Sequence, residues 1–141
     1  MADITVIRIL YMEDDPGLSR LLQKSLQRRG YHVDTAPDGE EGLRMLGASS
    51  YDIALVDYNM PFCGGLDVIR ALSEKGAMIP VIMVTGQGNE EIAVEALKLG
   101  AADYVVKDTE MKYLNLLPVV IDRALYNNVL LKERNEMQQT L

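Results

Sequence analysis

The sequence has very little cysteine, few aromatic residues and no excess of positive charge. Of its 141 residues, one is cysteine, one is phenylalanine and none is tryptophan. The single cysteine, Cys63, cannot form a disulfide within the chain, which excludes a disulfide-stapled secreted domain and fits a reducing compartment. There are 14 basic residues against 21 acidic ones, which gives a formal net charge of −7. This balance argues against binding to nucleic acid through a basic surface.

Long hydrophobic runs are also absent. No stretch contains the roughly 18 consecutive apolar residues that a membrane-spanning helix needs, and the first residues lack the basic start of a signal peptide. We therefore expect a cytoplasmic protein with no membrane partner and no direct nucleic-acid partner. The contents of 48% hydrophobic and 25% charged residues are ordinary for one globular domain with a real core.

Short apolar runs alternate with helical patterns along most of the chain. The runs are rich in β-branched residues and predict strands at 6–11, 32–36, 53–56, 81–84 and 104–106. Between them, capping residues mark helices: Asp15 precedes Pro16 at one start, Asn89 opens another helix, and Gly30 and Gly100 close two. Because the strands lack in-out polar alternation, both faces of the sheet must be buried. The pattern predicts an α/β fold with a parallel sheet and helices on both faces.

The C-terminal part of the chain predicts a longer helix. It begins near Asn115, which places Pro118 in the first turn, where proline is tolerated. Residues 127–141 are more polar. Leu130 and Met137 suggest a coiled-coil seam there, but polar residues interrupt any steady heptad. We expect one domain over 1–126 and a helical extension over 127–141, which would link it to a further domain downstream.

Four of the five predicted strands end on a polar or charged residue. These residues are Asp14 and Asp15, Asp57, Thr85, and Lys107. In an open parallel sheet, ligands bind beyond the carboxyl ends of the strands, so the residues should meet at one edge. Each has an ordinary explanation by itself, such as a helix cap or a surface lysine. Their convergence predicts a site.

The chemistry of these side chains indicates phosphoryl transfer. Nearby carboxylates repel one another, and a divalent cation such as Mg²⁺ relieves that repulsion. Asp14 or Asp15, together with Asp57 and the backbone carbonyl of Asn59, would supply its oxygen ligands. Lys107 and Thr85 would face the phosphoryl oxygens, so the carboxylate of Asp57 could accept a phosphoryl group as an acyl phosphate.

In this order the motifs resemble the receiver domain of bacterial two-component response regulators, along almost the whole chain up to about residue 126. The motifs are EDD at 13–15, DYNMP at 57–61, VTG at 84–86 and DYVVK at 103–107. The resemblance implies a flavodoxin-like fold. This is a doubly wound, five-stranded parallel sheet of order 2-1-3-4-5 with helices on both faces.

The resemblance also implies a role for each matched residue. Asp57 would be the phosphoacceptor and Lys107 the lysine that pairs with the phosphoryl group. Asp14 and Asp15 would hold Mg²⁺ or Mn²⁺ together with Asp57 and the main-chain oxygen of Asn59. Thr85 and Tyr104 would form the conformational switch. Residues at neighbouring positions would tune the lifetime of the acyl phosphate, namely Asn59, Gly86 and Gln87.

The partners implied by the resemblance are proteins of a signalling pathway. A sensor histidine kinase or a phosphotransfer protein would supply the phosphoryl group. The chain would catalyse only its own phosphorylation and dephosphorylation, and so would not be an enzyme with a separate substrate. Phosphorylation would expose a new surface on helix 4, strand 5 and helix 5. That surface would contact an output domain, a partner protein or a second copy of the chain.

Two other readings remain open at this stage. A haloacid-dehalogenase-like phosphatase also uses an Asp nucleophile, but it carries a second Asp where this chain has Asn59, and it needs a cap domain. The second alternative is a receiver that is never phosphorylated and acts only by binding. The complete acidic pair and Lys107 argue against it, but it stays open because Asp108 stands where most relatives have a proline after a cis bond. A cis bond before a non-proline residue costs about 2.5–4 kcal/mol, so we expect a trans or reshaped loop.

Overall fold

The computed structural model describes residues 6–77, 79–86 and 89–140, and within them strands and helices alternate. The strands are β1 (Arg8–Met12), β2 (His32–Ala36), β3 (Ile53–Asp57), β4 (Val81–Gly86) and β5 (Asp103–Lys107). The helices are α1 (Pro16–Gln27), α2 (Gly39–Ala48), α3 (Gly65–Glu74), α4 (Glu90–Leu99) and α5 (Tyr113–Thr140). Among these described helices, none is long and apolar enough to cross a membrane.

The five strands form one parallel sheet in the order β2-β1-β3-β4-β5. The predicted flavodoxin-like fold is therefore confirmed. Because all strands run in the same direction, their carboxyl ends share one edge of the sheet. The register places Asp57 opposite Val84 and Gly86 opposite Lys107, so the ends of the three strands β3, β4 and β5 lie side by side.

The three central strands, β1, β3 and β4, are buried on both faces, as their apolar sequences predicted, whereas the edge strands β2 and β5 are partly exposed. In β1, Ile9 and Tyr11 belong to a core cluster with residues of α1 and α5, while Leu10 and Met12 belong to a second cluster on the opposite face. All four side chains are completely buried. Burial of one such side chain contributes about 1.5–3 kcal/mol. The two cores therefore hold the sheet rigid and fix the positions of its strand ends.

The last helix differs from its sequence-based prediction. It begins at Tyr113 because the Asp108 carboxylate accepts hydrogen bonds from the backbone N–H groups of Lys112 (3.0 Å) and Tyr113 (2.9 Å). This earlier start places Pro118 beyond the first turn, inside the helix. The helix then continues to Thr140, and the domain boundary at 126 stays a prediction. The bond between Lys107 and Asp108 is trans, since no described residue follows a cis peptide bond.

Candidate functional site

Three side chains from different strand ends meet in a buried ionic cluster. The Lys107 ammonium lies 2.8 Å from Asp57 Oδ1 and 3.0 Å from Glu13 Oε1. Asp57 is 4% exposed and Glu13 is 2% exposed. Lys107 ends β5, Asp57 ends β3, and Glu13 directly follows β1. Asp57 and Lys107 therefore meet at one edge of the sheet, as the sequence predicted.

A second acidic residue from the β1 end completes the cluster. One carboxylate oxygen each from Glu13, Asp14 and Asp57 lies within 4.8 Å of the others. Unlike the other two, the Asp14 side chain is exposed, so a small hydrated cation could reach these oxygens from solvent. Hard carboxylate oxygens at this spacing are the donor set that Mg²⁺ prefers, with water completing the coordination. The residues present therefore fit a magnesium ion.

Asp15 lines the same cavity but is not one of the three clustered carboxylates, so its predicted role as a metal ligand stays a prediction. The Oδ1 atom of Asp15 accepts hydrogen bonds from the backbone N–H groups of Gly17 (2.8 Å) and Leu18 (3.1 Å). The carboxylate thus caps α1, a role that the sequence also predicted for it. Glu13, which directly follows β1, is the other carboxylate that this segment contributes to the cluster.

The cluster holds more negative charge than its single ammonium balances. Burial raises the pKa of Glu13 to about 7, with a further increase from the charge of Asp57, although Lys107 acts in the opposite direction. Burial alone would lower the pKa of Lys107, but its hydrogen bonds and charge contacts with Asp57 and Glu13 raise it overall. Lys107 is therefore held firmly as a cation at neutral pH. The buried Tyr11 hydroxyl donates a 3.3 Å hydrogen bond to Glu13 Oε1.

Thr85 lies deep in the sheet beside the cluster. It is 1% exposed, and its Oγ1 atom has no hydrogen-bond partner among the described residues. A buried hydroxyl without a partner is destabilising by roughly 1–3 kcal/mol. In register, Thr85 is one position beyond Val84, the residue opposite Asp57. The structure therefore contains a hydrogen-bonding group beside the nucleophile that could accept a new partner.

The other predicted site residues occupy different positions. Tyr104 lies in β5 opposite Met83 and is 37% exposed, so its ring is not packed inward. Asn59 and Gly86 line a cavity of about 330 Å³ at the strand ends, together with the cluster residues. Gln87 falls outside the described residues, and its predicted tuning role stays a prediction.

Gly65, the first residue of α3, lies directly against the end of β3. A Cβ atom on Gly65 would lie 2.7 Å from the carbonyl oxygen of Asp57, a distance that no side chain tolerates. The Gly65 N–H donates to the carbonyl of Tyr58 at 3.2 Å. Glycine therefore allows α3 to begin directly against the end of β3, which keeps the loop short and the cavity open.

Two residues of the site were missed by sequence reasoning. Glu13 was noted as part of an acidic run but received no role, because the run itself does not reveal which members face the pocket. Asn89 was correctly assigned to the start of α4, and its position on the cavity wall was not foreseen.

Comparison with known sequences decides the family. The family model described as the response regulator receiver domain matches residues 9–117. The chain belongs to this family. It is 37% identical over 108 residues to the two-component response regulator PhoP of Pseudomonas aeruginosa, covering 77% of this chain and 48% of PhoP. The receiver domain thus spans about half the length of that curated relative. The family's role is to accept a phosphoryl group in two-component signalling.

Solved structures agree with this assignment. A response regulator receiver domain protein from Clostridium thermocellum is 29% identical, with a TM-score of 0.81 over 89% of this chain and 99% of that one. The response regulator TrrA from Thermotoga maritima was solved in complex with Mg²⁺ and BeF. It is also 29% identical, with a TM-score of 0.72 over 84% of this chain and 99% of TrrA.

Proposed function

We propose that this receiver accepts a phosphoryl group on Asp57 from a sensor histidine kinase or a phosphotransfer protein. The observation that carries the proposal is the buried contact between Asp57 Oδ1 and the Lys107 ammonium, inside a cluster of further carboxylates. A nucleophilic carboxylate beside a fixed cation and a cation-binding donor set suits phosphoryl transfer. Because the donor kinase must reach Asp57, we infer that the protein works in the cytoplasm, where such kinases would reach it.

The reaction forms one bond and breaks one. An oxygen of the Asp57 carboxylate bonds to phosphorus while the bond from phosphorus to the donor histidine nitrogen breaks, and the imidazole leaves with the electron pair. Lys107 neutralises charge on the transferring phosphoryl oxygens. A Mg²⁺ or Mn²⁺ ion held by Glu13, Asp14 and Asp57 would offset the remaining negative charge. The main-chain oxygen of Asn59 is a further candidate ligand.

The phosphorylated state would be read through Thr85 and Tyr104. The Thr85 hydroxyl is buried and has no partner among the described residues, so a phosphoryl oxygen on Asp57 would supply an acceptor. Movement of Thr85 toward that oxygen frees space for the half-exposed Tyr104 ring to turn inward. Gly86 leaves room beside the phosphoryl group, and Asn59 lines the approach. These two residues and Gln87 would set how fast water reaches the acyl phosphate.

The switch would act on partners through the face formed by α4, β5 and α5. Apolar side chains on this face are exposed, among them Val94 and Leu97 on α4 and Leu116 and Val119 on α5. We infer that an output domain, a partner protein or a second copy of the chain covers it after phosphorylation. The domain proper would end near residue 126, with the rest of α5 acting as a linker.

Phosphorylation by a small donor tests the proposal directly. Acetyl phosphate with Mg²⁺ should phosphorylate the chain, and beryllofluoride with Mg²⁺ should perturb its NMR spectrum at Thr85 and Tyr104. The Asp57→Asn variant should show neither response. If the variant responds as the unchanged protein does, Asp57 is not the acceptor.

The same experiment separates the two alternatives from the proposal. Sustained hydrolysis of phosphomonoesters over many turnovers would instead indicate a phosphatase. No response to either reagent would indicate a receiver that acts only by binding. Catalysis limited to the chain's own phosphorylation and dephosphorylation is the expected result.

A further inference from the structure

The loop between β3 and α3 holds the chain's one phenylalanine in an unusual conformation. Phe62 is 96% exposed, and its φ angle is 66°. The N–H of Cys63 donates to the carbonyl of Pro61 at 2.7 Å, so Phe62 is at the centre of a three-residue turn. With a positive φ, this turn is the rare and strained form. A bulky residue at positive φ is a true outlier.

Folding itself gains nothing from this side chain. A ring that remains in water contributes no burial energy, and its backbone conformation is one that glycine or asparagine adopts more easily. Residues kept in strained backbone regions cluster where a protein binds or reacts. The position of Phe62 therefore requires an explanation outside the stability of the chain.

Phe62 lies in a loop that also contributes to the functional site. Its loop begins at Asp57 and also contributes Tyr58 and Asn59 to the wall of the site cavity. Met111, in the loop that follows Lys107, is the other non-glycine residue with a positive φ (61°) in the described part of the chain, and it is 37% exposed. Two apolar side chains on strained backbone thus follow two residues of the ionic cluster.

We propose that Phe62 is a docking contact for the protein that delivers the phosphoryl group to Asp57. This inference rests on the proposed function. A small phosphodonor needs only the cavity, whereas a protein donor must bring a histidine to Asp57 and so must cover the loops around it. An aromatic ring that becomes buried between two proteins is a typical centre of binding energy. Met111 would contact the same donor from the second loop.

Comparing two kinds of phosphodonor tests the inference. The variant Phe62→Asn removes the ring and keeps a residue that tolerates positive φ, so its melting temperature should not fall. Phe62→Tyr retains an aromatic contact. The matched control is Tyr126→Asn, which removes an exposed aromatic ring on α5. The donors are acetyl phosphate and a panel of purified histidine kinases labelled with radioactive phosphate, from which the fastest donor to the unchanged chain is chosen.

The expected result is a loss confined to the protein donor. Phe62→Asn should lower kcat/KM for transfer from the kinase by about tenfold or more, while its rate with acetyl phosphate stays within about twofold of the unchanged chain. Phe62→Tyr and Tyr126→Asn should transfer normally. Phe62→Gly serves as a second ring-deletion variant with an unstrained backbone, and should behave as Phe62→Asn does.

Three outcomes would overturn the inference. Normal transfer from the kinase to Phe62→Asn would remove the docking role. An equal loss with both donors would show that the ring acts on the chemistry of the site. A change from dimer to monomer in sedimentation, with transfer intact, would assign the ring to a second copy of the chain. Failure of the proposed function is a different observation: the unchanged chain would accept phosphate from neither donor.

Discussion

Ion pairs lie both at the carboxyl ends of the strands and around Asp34 in β2, but the two groups differ in burial. At the carboxyl edge, the Lys107 ammonium is the cation that contacts the buried carboxylates of Glu13 and Asp57. Near the opposite edge, Asp34 accepts a 2.7 Å hydrogen bond from the Tyr51 hydroxyl. It also lies 3.1 Å from His32 Nε2 and 3.9 Å from an Arg8 guanidinium nitrogen. The carboxylates of Glu13 and Asp57 are buried, whereas that of Asp34 is partly exposed.

This difference shows which polar groups serve the fold and which serve function. The side chains of the ion pairs around Asp34 are partly exposed, so each of these pairs contributes about 0–1 kcal/mol. The carboxylates at the other edge are buried, repel one another and raise the pKa of Glu13. Such a cluster is unfavourable without a further cation. Unbalanced buried charge, rather than polarity itself, marks the functional edge.

Removing the one cation of the cluster should have the largest effect on stability. Lys107→Met leaves the buried carboxylates of Glu13 and Asp57 without their partner, which should lower the free energy of unfolding by about 2–4 kcal/mol at pH 7. Urea unfolding without Mg²⁺ measures this. Lys112→Met is the control, because Lys112 pairs with Glu110 on the surface. It should change stability by less than about 0.5 kcal/mol. Equal effects would remove the distinction between buried and exposed pairs.

The surplus charge should also make stability depend on pH. The pKa of Glu13 is about 7 in the folded protein, against 4.5 for an ordinary glutamate. The folded state therefore binds this proton more tightly, and its stabilisation is complete below about pH 4.5 and is lost as pH rises to about 7. Because Lys107 and nearby solvent screen the group, the loss should be about 1–2 kcal/mol. Urea unfolding between pH 5 and 7.5, without metal ions, should show this slope.

The control for the pH effect is Glu13→Gln, which cannot titrate at this position. The difference in unfolding free energy between the two proteins should vary with pH in the stated direction. A difference that stays constant from pH 5 to 7.5 would mean that Glu13 is already ionised throughout the range. The comparison of the two edges would then lose its electrostatic basis.

A smaller effect should distinguish the two acidic residues that follow Glu13. Asp15→Ala removes the cap of α1 and should lower stability by about 1 kcal/mol, with Mg²⁺ affinity unchanged within about twofold. Asp14→Asn should weaken Mg²⁺ binding by at least about tenfold. Titration calorimetry with MgCl₂ measures both affinities. A strong loss of Mg²⁺ binding in Asp15→Ala would support the predicted role of Asp15 as a ligand.

The order of strands and helices was predictable because it depends on simple patterns. Uninterrupted apolar runs gave the strands, and the parallel topology then brought Asp57 and Lys107 to the same edge. The parallel direction of the strands is sufficient to predict that Asp57 and Lys107 lie at the same edge. The resemblance to the receiver family supplied the strand order, which the patterns alone do not determine.

The remaining details depend on features that sequence patterns do not resolve. The acidic run at 13–15 does not reveal which of its carboxylates meet Asp57, because that depends on the backbone path after β1, and predicted boundaries carry errors of one or two residues. The early start of α5 follows from the side chain of Asp108, which was considered only as a missing proline. The strained turn at Phe62 has no glycine to announce it, so only coordinates could reveal its positive φ.

The smallest expected effect on stability is that of replacing Asp34 in β2. In Asp34→Asn, the Tyr51 hydroxyl can still donate to the amide oxygen, and the lost pairs with His32 and Arg8 are half-exposed. Stability should therefore fall by about 1 kcal/mol or less, and the response to Mg²⁺ should not change. Urea unfolding and titration calorimetry measure the two quantities. A loss as large as that of Lys107→Met would mean that a partly exposed network stabilises the fold as strongly as a buried one, and burial would no longer explain why the two edges differ.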